Sequence, residues 1–327
     1  MILINNINEL MDSYVLVEKP VDKEAASILN SESKKIILAG ERKTGRTVVL
    51  RSMEKRGLNT KEQSIYCWHE GIIMHSIEPD GWFNKEAFDC YYELCFMKVI
   101  NKYIRDNYPS IYEKYFKEDK DIKRYHSICK QFDSTFNNHL FGDEPFDIKL
   151  ASKELSKGIL DKFREIQELD KLNLLVDRFD RINGSSKYVQ EIYQRYFDMF
   201  DKVVVTTDDK SINRRKLRKE GYDIRKIMYG NNKNAVKEII ERRVAAYEFE
   251  KHVRVGRKRF IDDSFISRLI QEMGTLGLSI EVVSEIIASL DFYNGRSFEE
   301  MTDYAIKEVK SSEEKNAKML GKTKLYL

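Results

Sequence analysis

Short apolar runs, each ending near a glycine or a polar residue, alternate along the chain with segments of helical periodicity. Each run has the length and the Val, Ile and Leu content of a buried β-strand. Runs of this kind occupy residues 34–40 (KKIILAG), 64–69 (SIYCWH), 172–177 (LNLLVD), 201–208 (DKVVVTTD) and 225–230 (RKIMYG). Because strands that alternate with helices form a parallel sheet covered on both faces, the pattern predicts an α/β fold with a five-stranded parallel sheet.

Two longer stretches have helical spacing and no convincing strand. Residues 84–150 are rich in Tyr, Phe and Lys and predict a helical insertion, and residues 231–310 contain segments with apolar residues at three- and four-residue steps. Several of these segments have Asp or Ser starts and Gly stops, which favours a small α-helical domain. We therefore expect N-terminal linker helices over 1–33, a sheet domain over 34–230, the helical domain over 231–310 and a loose tail over 311–327.

The composition supports a folded chain with a sizeable core. Of 327 residues, 42% are apolar and 11% aromatic, and only 15 are Gly and 4 are Pro. These values exclude a disordered or collagen-like chain. The 4 cysteines are irregularly spaced, which is typical of a reduced cytoplasmic protein rather than a disulfide framework. Since no basic leader precedes an apolar run and no stretch of about 18 apolar residues occurs, we expect a cytoplasmic protein without a membrane partner.

Positive charge is concentrated in one part of the chain. The net charge is +3, but residues 210–260 hold 17 Lys or Arg against 6 Asp or Glu, an excess of 11, so the remainder carries −8. This asymmetry favours DNA as a partner, and a solvated basic helix face is the alternative. The predicted contacts, to the DNA backbone and with low sequence specificity, are Arg214, Arg215, Lys216, Arg218, Lys219, Arg254, Arg257, Lys258 and Arg259.

Residues 40–47 (GERKTGRT) lie between the first strand and its helix and have the spacing of a phosphate-binding loop, with Arg46 where Lys is usual. Such a loop needs glycines to let backbone N–H groups wrap the phosphates, a helix N-terminus, a cation and a hydroxyl for Mg²⁺. The chain has all of these, which predicts binding of ATP with Mg²⁺; an ordinary tight turn is the alternative. The predicted cofactor-binding residues are Gly40, Lys43, Thr44, Gly45, Arg46, Thr47 and Asp177, with Lys43 as a substitute for the missing lysine ammonium.

The strand over 172–177 ends in Asp177, followed by Arg178 and, two positions later, Asp180. After a phosphate loop, a carboxylate at such a strand end holds Mg²⁺ or one of its waters, so we assign the metal to Asp177 and Thr47. The next position is commonly Glu, which orients the attacking water. Arg178 is permanently charged and cannot accept a proton, so Asp180 is the candidate replacement if the turn brings it to the γ-phosphate.

The strand over 201–208 ends in Thr206, Thr207 and Asp208. We predict that Thr207 senses the γ-phosphate, because ligand sites gather at the carboxyl ends of parallel strands; a simple strand-ending turn is the alternative. The cations that follow could contact DNA or reach a neighbouring subunit's nucleotide as an arginine finger, and the sequence does not divide them between these roles. The predicted catalytic residues are Asp180, Thr207, Arg214 and Arg215.

The altered phosphate loop, the strands ending in LLVDRFD and VVVTTDD, and the terminal helical domain together resemble the AAA+ ATPases, particularly the origin-recognition and transposition-regulator branch. The resemblance covers residues 34–310. It implies a strand order of 5-1-4-3-2 and ATP bound between the sheet domain and a helical lid. By position, it implies that Arg46 and Thr47 contact phosphate and Mg²⁺, that Asp177 supports the metal and that Thr207 senses the γ-phosphate.

The chain also departs from this family pattern. Arg46 replaces the usual Lys, Arg178 replaces the usual Glu, and the lid helix near residues 277–281 (GLSIE) lacks the arginine that many relatives place there to touch the γ-phosphate. Arg is not a conservative replacement for Lys in a tight loop. Losing a positioned water-activating group raises the reaction barrier. We therefore expect ATP binding with weak, partner-dependent or absent hydrolysis.

Three functional hypotheses remain open at the level of sequence. The first is an ATP-binding, AAA+-like assembly factor acting on DNA in replication or transposition of a mobile element or phage. It would form an ATP-dependent oligomer with other proteins of that complex. The second is a degenerate, non-hydrolysing subunit with a structural or regulatory role in protein interactions. The third is a signalling or defence NTPase in which the helical insertion is the sensor.

Overall fold

Parallel strands form the centre of the fold. The computed structural model describes residues 19–41, 43–68, 85–127, 152–177, 196–208, 214–229, 232–290 and 295–325. The strands are β1 (Lys35–Gly40), β2 (Glu62–Trp68), β3 (Lys171–Asp177), β4 (Lys202–Asp208) and β5 (Asp223–Lys226). Every pairing is parallel, and the order is β2-β3-β4-β1-β5. The predicted five-stranded parallel sheet and its strand order, read from the opposite edge, are confirmed.

The largest difference in strand position is at β5. The strand was predicted over 225–230 but occupies Asp223–Lys226, with Asp223 opposite Ile36. Pairing with β1 closes with a hydrogen bond of 2.9 Å from the Ile227 N–H to the Ala39 carbonyl. Ile227 itself is buried in the core. Its apolar character therefore reflects core packing beyond the end of the strand.

Both faces of the sheet are covered. Successive strand residues point to opposite faces, and in β1 Ile36 and Leu38 belong to one core cluster while Ile37 and Ala39 belong to the other. The helices that flank the sheet before β5 are α1 (Lys19–Leu29), α2 (Arg46–Gly57), α3 (Lys85–Asn107), α4 (Pro109–Ile111) and α5 (Ser152–Gln167). The first cluster also contains residues of α1, α2 and the C-terminal helices, and the second contains residues of α3, α5 and the segment between them.

The segment predicted as a helical insertion is helical where the structure describes it. After α3 and α4 come a π-helical turn, Tyr112–Phe116, and a helix over 120–127. Phe163 of α5 packs against the rings of Tyr103, Tyr108 and Phe116, with centroid separations of 6.2, 5.4 and 6.5 Å. The aromatic content of this segment therefore contributes to the core on one face of the sheet.

Helix α1 comes from the segment predicted as N-terminal linker helices, and it packs on the sheet through Val21, Ala25 and Ile28. Its C-terminal end is capped by a side chain from β4. The buried Lys202 ammonium donates to the carbonyls of Ile28, Leu29 and Ser31 at 2.8, 2.6 and 2.8 Å. A helix leaves its last carbonyls without intrahelical donors, and this cation satisfies the end of α1 together with Ser31, which also donates to the Ile28 carbonyl.

The C-terminal part of the described chain is helical, as the spacing predicts. After α6 (Arg214–Lys219), which lies between β4 and β5, it contains α7 (Lys233–Lys251), α8 (Arg257–Phe260), α9 (Asp263–Met273), α10 (Leu276–Ser289) and α11 (Phe298–Leu325). Side chains of Asn232, Asp262 and Thr275 cap α7, α9 and α10 by accepting from backbone N–H groups. These are the cap residues that the sequence pattern favours.

The loose tail predicted over 311–327 is wrong, because α11 continues to Leu325. Ser297 begins the helix with a capping box, its hydroxyl accepting from the Glu300 N–H while Glu300 accepts from the Ser297 N–H. Met301, Ala305 and Val309 are buried against the other C-terminal helices and stabilise its first half.

Within the described ranges, no helix is both long enough and apolar enough to cross a membrane.

Candidate nucleotide-binding site

The loop after β1 has the backbone conformation of a tight turn that opens a helix. Gly45 precedes α2 with φ 97°, a left-handed conformation that favours glycine, and no side chain caps the helix at this position. Thr44 closes the turn by donating from its hydroxyl to the Glu41 carbonyl at 2.8 Å. A Cβ at Gly40 would lie 2.8 Å from the Thr44 hydroxyl oxygen and 2.9 Å from the Ile227 carbonyl oxygen. Both glycines of the predicted motif are therefore required by the local geometry.

The start of α2 is the part of this loop suited to an anion. The first N–H groups of a helix have no intrahelical acceptor and carry partial positive charge. Here they follow a glycine turn at the carboxyl end of a central strand, the place where phosphates bind in open parallel sheets. The loop therefore has the geometry and the polarity of a phosphate site.

Thr47, in the first turn of α2, contacts the carboxylate predicted to support the metal. Its hydroxyl donates to Asp177 Oδ2 at 2.7 Å. Asp177 ends β3 and is 2% exposed. Because β4 lies between β1 and β3, the contact spans the central strands at their carboxyl ends. The structure thus brings together the two residues that sequence analysis paired as metal ligands.

Two further hydroxyls, from residues that the sequence analysis did not select for this role, also donate to Asp177. Thr206 of β4 donates to Oδ1 at 2.6 Å, and Tyr66 of β2 donates to Oδ2 at 2.9 Å. Burial, together with the negative charge of Asp177, raises the pKa of Tyr66 above its usual range, so the phenol remains a donor. The Arg51 guanidinium lies 3.4 Å from the centre of the Tyr66 ring and packs over it.

Strand periodicity is the signal that could have found Thr206. Leu175, two residues before Asp177, and Val204, two residues before Thr206, belong to the same core cluster as α2. Since residues two apart share a face of the strand, Asp177 and Thr206 point to the face on which Thr47 lies. Thr207, the predicted sensing residue, has the opposite parity and is buried at 3% exposure. Its role towards the γ-phosphate stays a prediction.

The oxygen ligands present here suit Mg²⁺. A carboxylate and a hydroxyl beside a phosphate-binding helix terminus form the donor set that Mg²⁺ uses, with phosphate oxygens and water supplying the remaining positions. Thr47 and Asp177 are the two residues that would hold the ion. Asp180, the predicted water-activating residue, and Arg178 lie outside the described residues.

Lys43 is part of the loop, but its ammonium faces the C-terminal helices. Its Nζ lies 2.8 and 2.9 Å from the two carboxylate oxygens of Glu281 on α10, and 2.7 Å from Glu313 Oε2 on α11. Burial lowers the pKa of Lys43, but the hydrogen bonds and charges of both glutamates outweigh it and raise the pKa above the usual 10.5. A backbone hydrogen bond also joins the loop to α10, since the Gly277 N–H donates to the Lys43 carbonyl at 2.7 Å.

Arg46, which stands at the usual lysine position, is partly buried at the start of α2. Its Nη1 atom is buried, and a Cβ at Gly40 would lie 3.6 Å from Arg46 Cδ. The aliphatic part of the side chain therefore runs beside the end of β1, within the loop. The predicted phosphate contact of Arg46 remains a prediction.

The cations predicted to contact DNA lie on two separate elements. Helix α6 carries the first group, which is exposed, and α8 with the residues before it carries the second, which is also exposed. These groups are Arg214, Arg215, Lys216, Arg218 and Lys219, and Arg254, Arg257, Lys258 and Arg259. Both elements are available to an external polyanion, and their assignment to DNA or to an arginine finger stays a prediction.

Comparisons with known proteins give only distant similarity. No protein-family model matches the chain, and no curated protein matches it. Among solved structures, the chain is similar to PCH-2 from C. elegans, with 12% identity over 94% of this chain and 69% of that chain, at a TM-score of 0.41. It is also similar to AMPPCP-bound DnaA from Aquifex aeolicus, with 12% identity over 92% of this chain and 80% of that chain, at a TM-score of 0.34.

Proposed function

We propose that this chain is an AAA+-like protein that binds ATP with Mg²⁺ at residues 40–47 and acts on DNA as an assembly factor. The observation that carries the nucleotide part is the 2.7 Å contact between the Thr47 hydroxyl and Asp177. It joins the helix that follows a glycine turn to a buried carboxylate at the end of β3. A Mg²⁺·ATP site needs oxygen ligands of this kind beside free helix N–H groups.

Each group of residues in the site would have a separate role in binding ATP and Mg²⁺. The N–H groups at the start of α2 would bind the phosphates, and Thr47 with Asp177 would hold Mg²⁺, which screens phosphate charge when it is bound. Thr206 and Tyr66 would keep the Asp177 carboxylate in one orientation, because each donates to it. Removing a neighbouring donor that orients a metal ligand typically weakens metal binding by about 10- to 100-fold.

We further propose that hydrolysis is weak or depends on a partner. Arg178 follows Asp177 and cannot activate water, which leaves Asp180 as the candidate base. Arg214 or Arg215, on the exposed helix α6, would complete the site of a neighbouring copy as an arginine finger. ATP would then act chiefly by setting the contacts between copies in an oligomer.

The DNA part of the proposal rests on charge. Residues 210–260 carry an excess of 11 positive charges, and the cations of α6 and α8 are exposed. Exposed cations concentrated on one part of a chain favour a phosphate backbone as partner and act without reading the base sequence. A role in replication or transposition, alongside other proteins of such a complex, is the process that this combination of nucleotide and DNA binding fits best.

Titration calorimetry with ATP and Mg²⁺ tests the nucleotide part. We expect the wild type to bind and Thr47→Ala to bind at least about 10-fold more weakly, since it loses a metal ligand. Asp177→Asn is the second variant, because it keeps the volume of the buried side chain while removing its charge. Thr60→Ala is the matched control: this hydroxyl closes a turn after α2, by donating to the Gly57 carbonyl, and should leave binding unchanged.

The absence of binding by folded wild-type protein would contradict the proposal. Thermal unfolding provides the check, because a ligand that binds only the folded state raises the unfolding temperature. If the wild type is folded and ATP with Mg²⁺ does not shift its unfolding temperature, residues 40–47 form an ordinary tight turn that does not bind ATP.

A second candidate function is a non-hydrolysing subunit with a regulatory role in protein interactions. The observation that favours it is the position of Lys43, whose ammonium is held by Glu281 and Glu313. In this alternative, the contact serves to hold the helical domain against the loop, and partners recognise the closed arrangement. Protein-dependent function that survives in Thr47→Ala would support the second candidate over the first.

A further inference from the structure

An aromatic side chain is exposed at the end of α7, shortly before a run of cations in the sequence. Phe249 is 70% exposed, the largest exposed fraction of any large hydrophobic side chain in the described part of the chain, and Val253 nearby is 42% exposed. The cations Lys251, Arg254, Arg257, Lys258 and Arg259 are all exposed, and no Asp or Glu occurs from 251 to 259. We refer to residues 249–259 as the basic-aromatic segment.

The basic-aromatic segment has a defined conformation because Glu248 holds it. His252 ends α7 with φ 53°, which turns the chain back, and the Val253 N–H donates to the Glu248 carbonyl at 3.2 Å. The Glu248 carboxylate accepts from the Val255 N–H at 2.9 Å and lies 3.8 Å from Arg257 Nε. The Glu248 carboxylate is therefore engaged in positioning the loop, and Lys251, Arg254, Lys258 and Arg259 are exposed.

The far end of the segment is fixed by an aromatic core. Phe260, the last residue of α8, is fully buried and packs against Phe265 and Phe298 with ring centroids at 6.1 and 5.3 Å. This contact anchors the short helix that carries Arg257, Lys258 and Arg259. The segment therefore presents cations from a fixed frame, which lowers the entropy lost when a ligand binds.

An exposed aromatic ring followed closely in the sequence by exposed cations fits single-stranded nucleic acid. The ring can stack on the face of an unpaired base, and the cations can contact the phosphates on either side of it. A DNA duplex offers the same phosphates, but its base faces are already stacked on each other. The cations would therefore serve both forms, whereas Phe249 would contribute only to binding of a single strand.

We propose that the basic-aromatic segment binds single-stranded DNA, with Phe249 stacking on an unpaired base. This inference rests on the DNA-directed part of the proposed function and adds the strandedness of the substrate. The exposure of Phe249, the absence of an acidic residue in the cation run and the fixed conformation of the loop are the observations that support it.

Fluorescence anisotropy with full-length protein tests the proposal. The probes are labelled oligothymidine of roughly 20 nucleotides, longer than the site of one such surface, and a duplex of the same length, both without ATP. We expect Phe249→Ala to weaken single-strand binding by about 5- to 150-fold, which is the range for loss of one stacked base. The dependence of this binding on salt should stay unchanged, because no charge is removed.

Charge removal should give the opposite pattern. Replacing Arg257 and Lys258 by Gln is expected to weaken binding of both probes, and to reduce the slope of log affinity against log salt by about 1.4 on the single strand. The matched control is Tyr115→Ala, which removes another exposed aromatic beside a cation, with Lys114 Nζ at 4.8 Å from its ring centre. It should bind like the wild type, and Phe249→Trp should restore single-strand binding.

Several results would overturn the inference. Equal loss of duplex and single-strand binding in Phe249→Ala would remove the stacking role, while leaving the DNA part of the proposed function intact. Failure of the wild type to bind either probe would contradict both the stacking role of Phe249 and the DNA part of the proposed function. Phe249-dependent binding to phosphatidylserine vesicles without single-strand binding would assign the segment to an anionic membrane surface instead. ATP binding, measured separately at Thr47, is independent of all these outcomes.

Discussion

The ammonium of Lys43 is held by both carboxylate oxygens of Glu281, at 2.8 and 2.9 Å, so a cation of the predicted phosphate loop is bound to the helical domain. Glu313 of α11 adds a third contact at 2.7 Å. The two glutamates occupy the ammonium that a nucleotide phosphate would otherwise attract. The loop and the helical domain are therefore linked electrostatically at the point where ATP is proposed to bind.

Releasing Lys43 should strengthen nucleotide binding. In the double variant Glu281→Gln and Glu313→Gln, the phosphates no longer compete with two carboxylates for this ammonium. Breaking partly exposed ion pairs costs about 1 kcal/mol, so we expect ATP to bind roughly 5-fold more tightly in calorimetric titration. Glu285→Gln on the same helix is the control and should leave the affinity unchanged. Unchanged or weaker ATP binding in the double variant would show that the two glutamates do not compete with phosphate for Lys43.

Gly277 is expected to be intolerant of any side chain. A Cβ at this position would lie 2.5 Å from Lys43 Cβ and 2.8 Å from the Lys43 carbonyl oxygen. Gly277→Ala should therefore push α10 from the loop and lower the unfolding temperature by several degrees. Gly158→Ala in α5, where the added Cβ would have one neighbour at 3.7 Å, is the control. There, Ala is favoured over Gly by about 1 kcal/mol as a helix former. Equal unfolding temperatures for the two variants would contradict the close contact at Lys43.

Thr206 and Thr207 should have separable roles. Thr206→Val removes the donor to Asp177 Oδ1 and leaves a buried carboxylate oxygen short of one hydrogen bond, which costs about 1–3 kcal/mol. We expect lower stability and weaker Mg²⁺-dependent ATP binding. Thr207→Val is the same substitution on the opposite face of β4, and we expect it to reduce discrimination between ATP and ADP with less effect on Mg²⁺. If Thr207→Val alone altered Mg²⁺ dependence, the strand parity described above would be wrong.

Lys202, which lies at the opposite end of β4 from the nucleotide site, should contribute to the free energy of unfolding. Its ammonium donates to three carbonyls at the end of α1, and Lys202→Met keeps the aliphatic stem but removes these hydrogen bonds. The Ile28 carbonyl still accepts from the Ser31 N–H and hydroxyl, whereas the Leu29 and Ser31 carbonyls lose a charged donor. We expect a loss of about 2–4 kcal/mol, from charged hydrogen bonds that are not replaced, and a lower unfolding temperature. Lys171→Met at the start of β3 is the control, because that side chain is 53% exposed and should tolerate the change. Calorimetric unfolding temperatures that agree between the variants would refute the capping role.

Much of the fold could be predicted because its signals are local. Apolar runs bounded by glycine or acidic residues identified the strands, and the cap residues of α7, α9 and α10 are those that helix starts favour. The boundary of β5 was missed because Ile227 is apolar for a reason that lies outside the strand, namely its burial in the core. The helix over the predicted tail was missed for a similar reason: α11 is stabilised by packing of its first half, and the residues beyond it have weak periodicity.

The sequence by itself determined the α/β class, the glycine turn before α2 and the pairing of Thr47 with Asp177, because spacing and strand ends carry that information. Only the tertiary structure decided that Thr206 and Tyr66 donate to Asp177, and that Lys43 faces Glu281 and Glu313. These partners are separated from the site by 29 to 270 residues along the chain. Contacts over such separations depend on how strands and helices pack, and a local pattern of residues does not determine that packing.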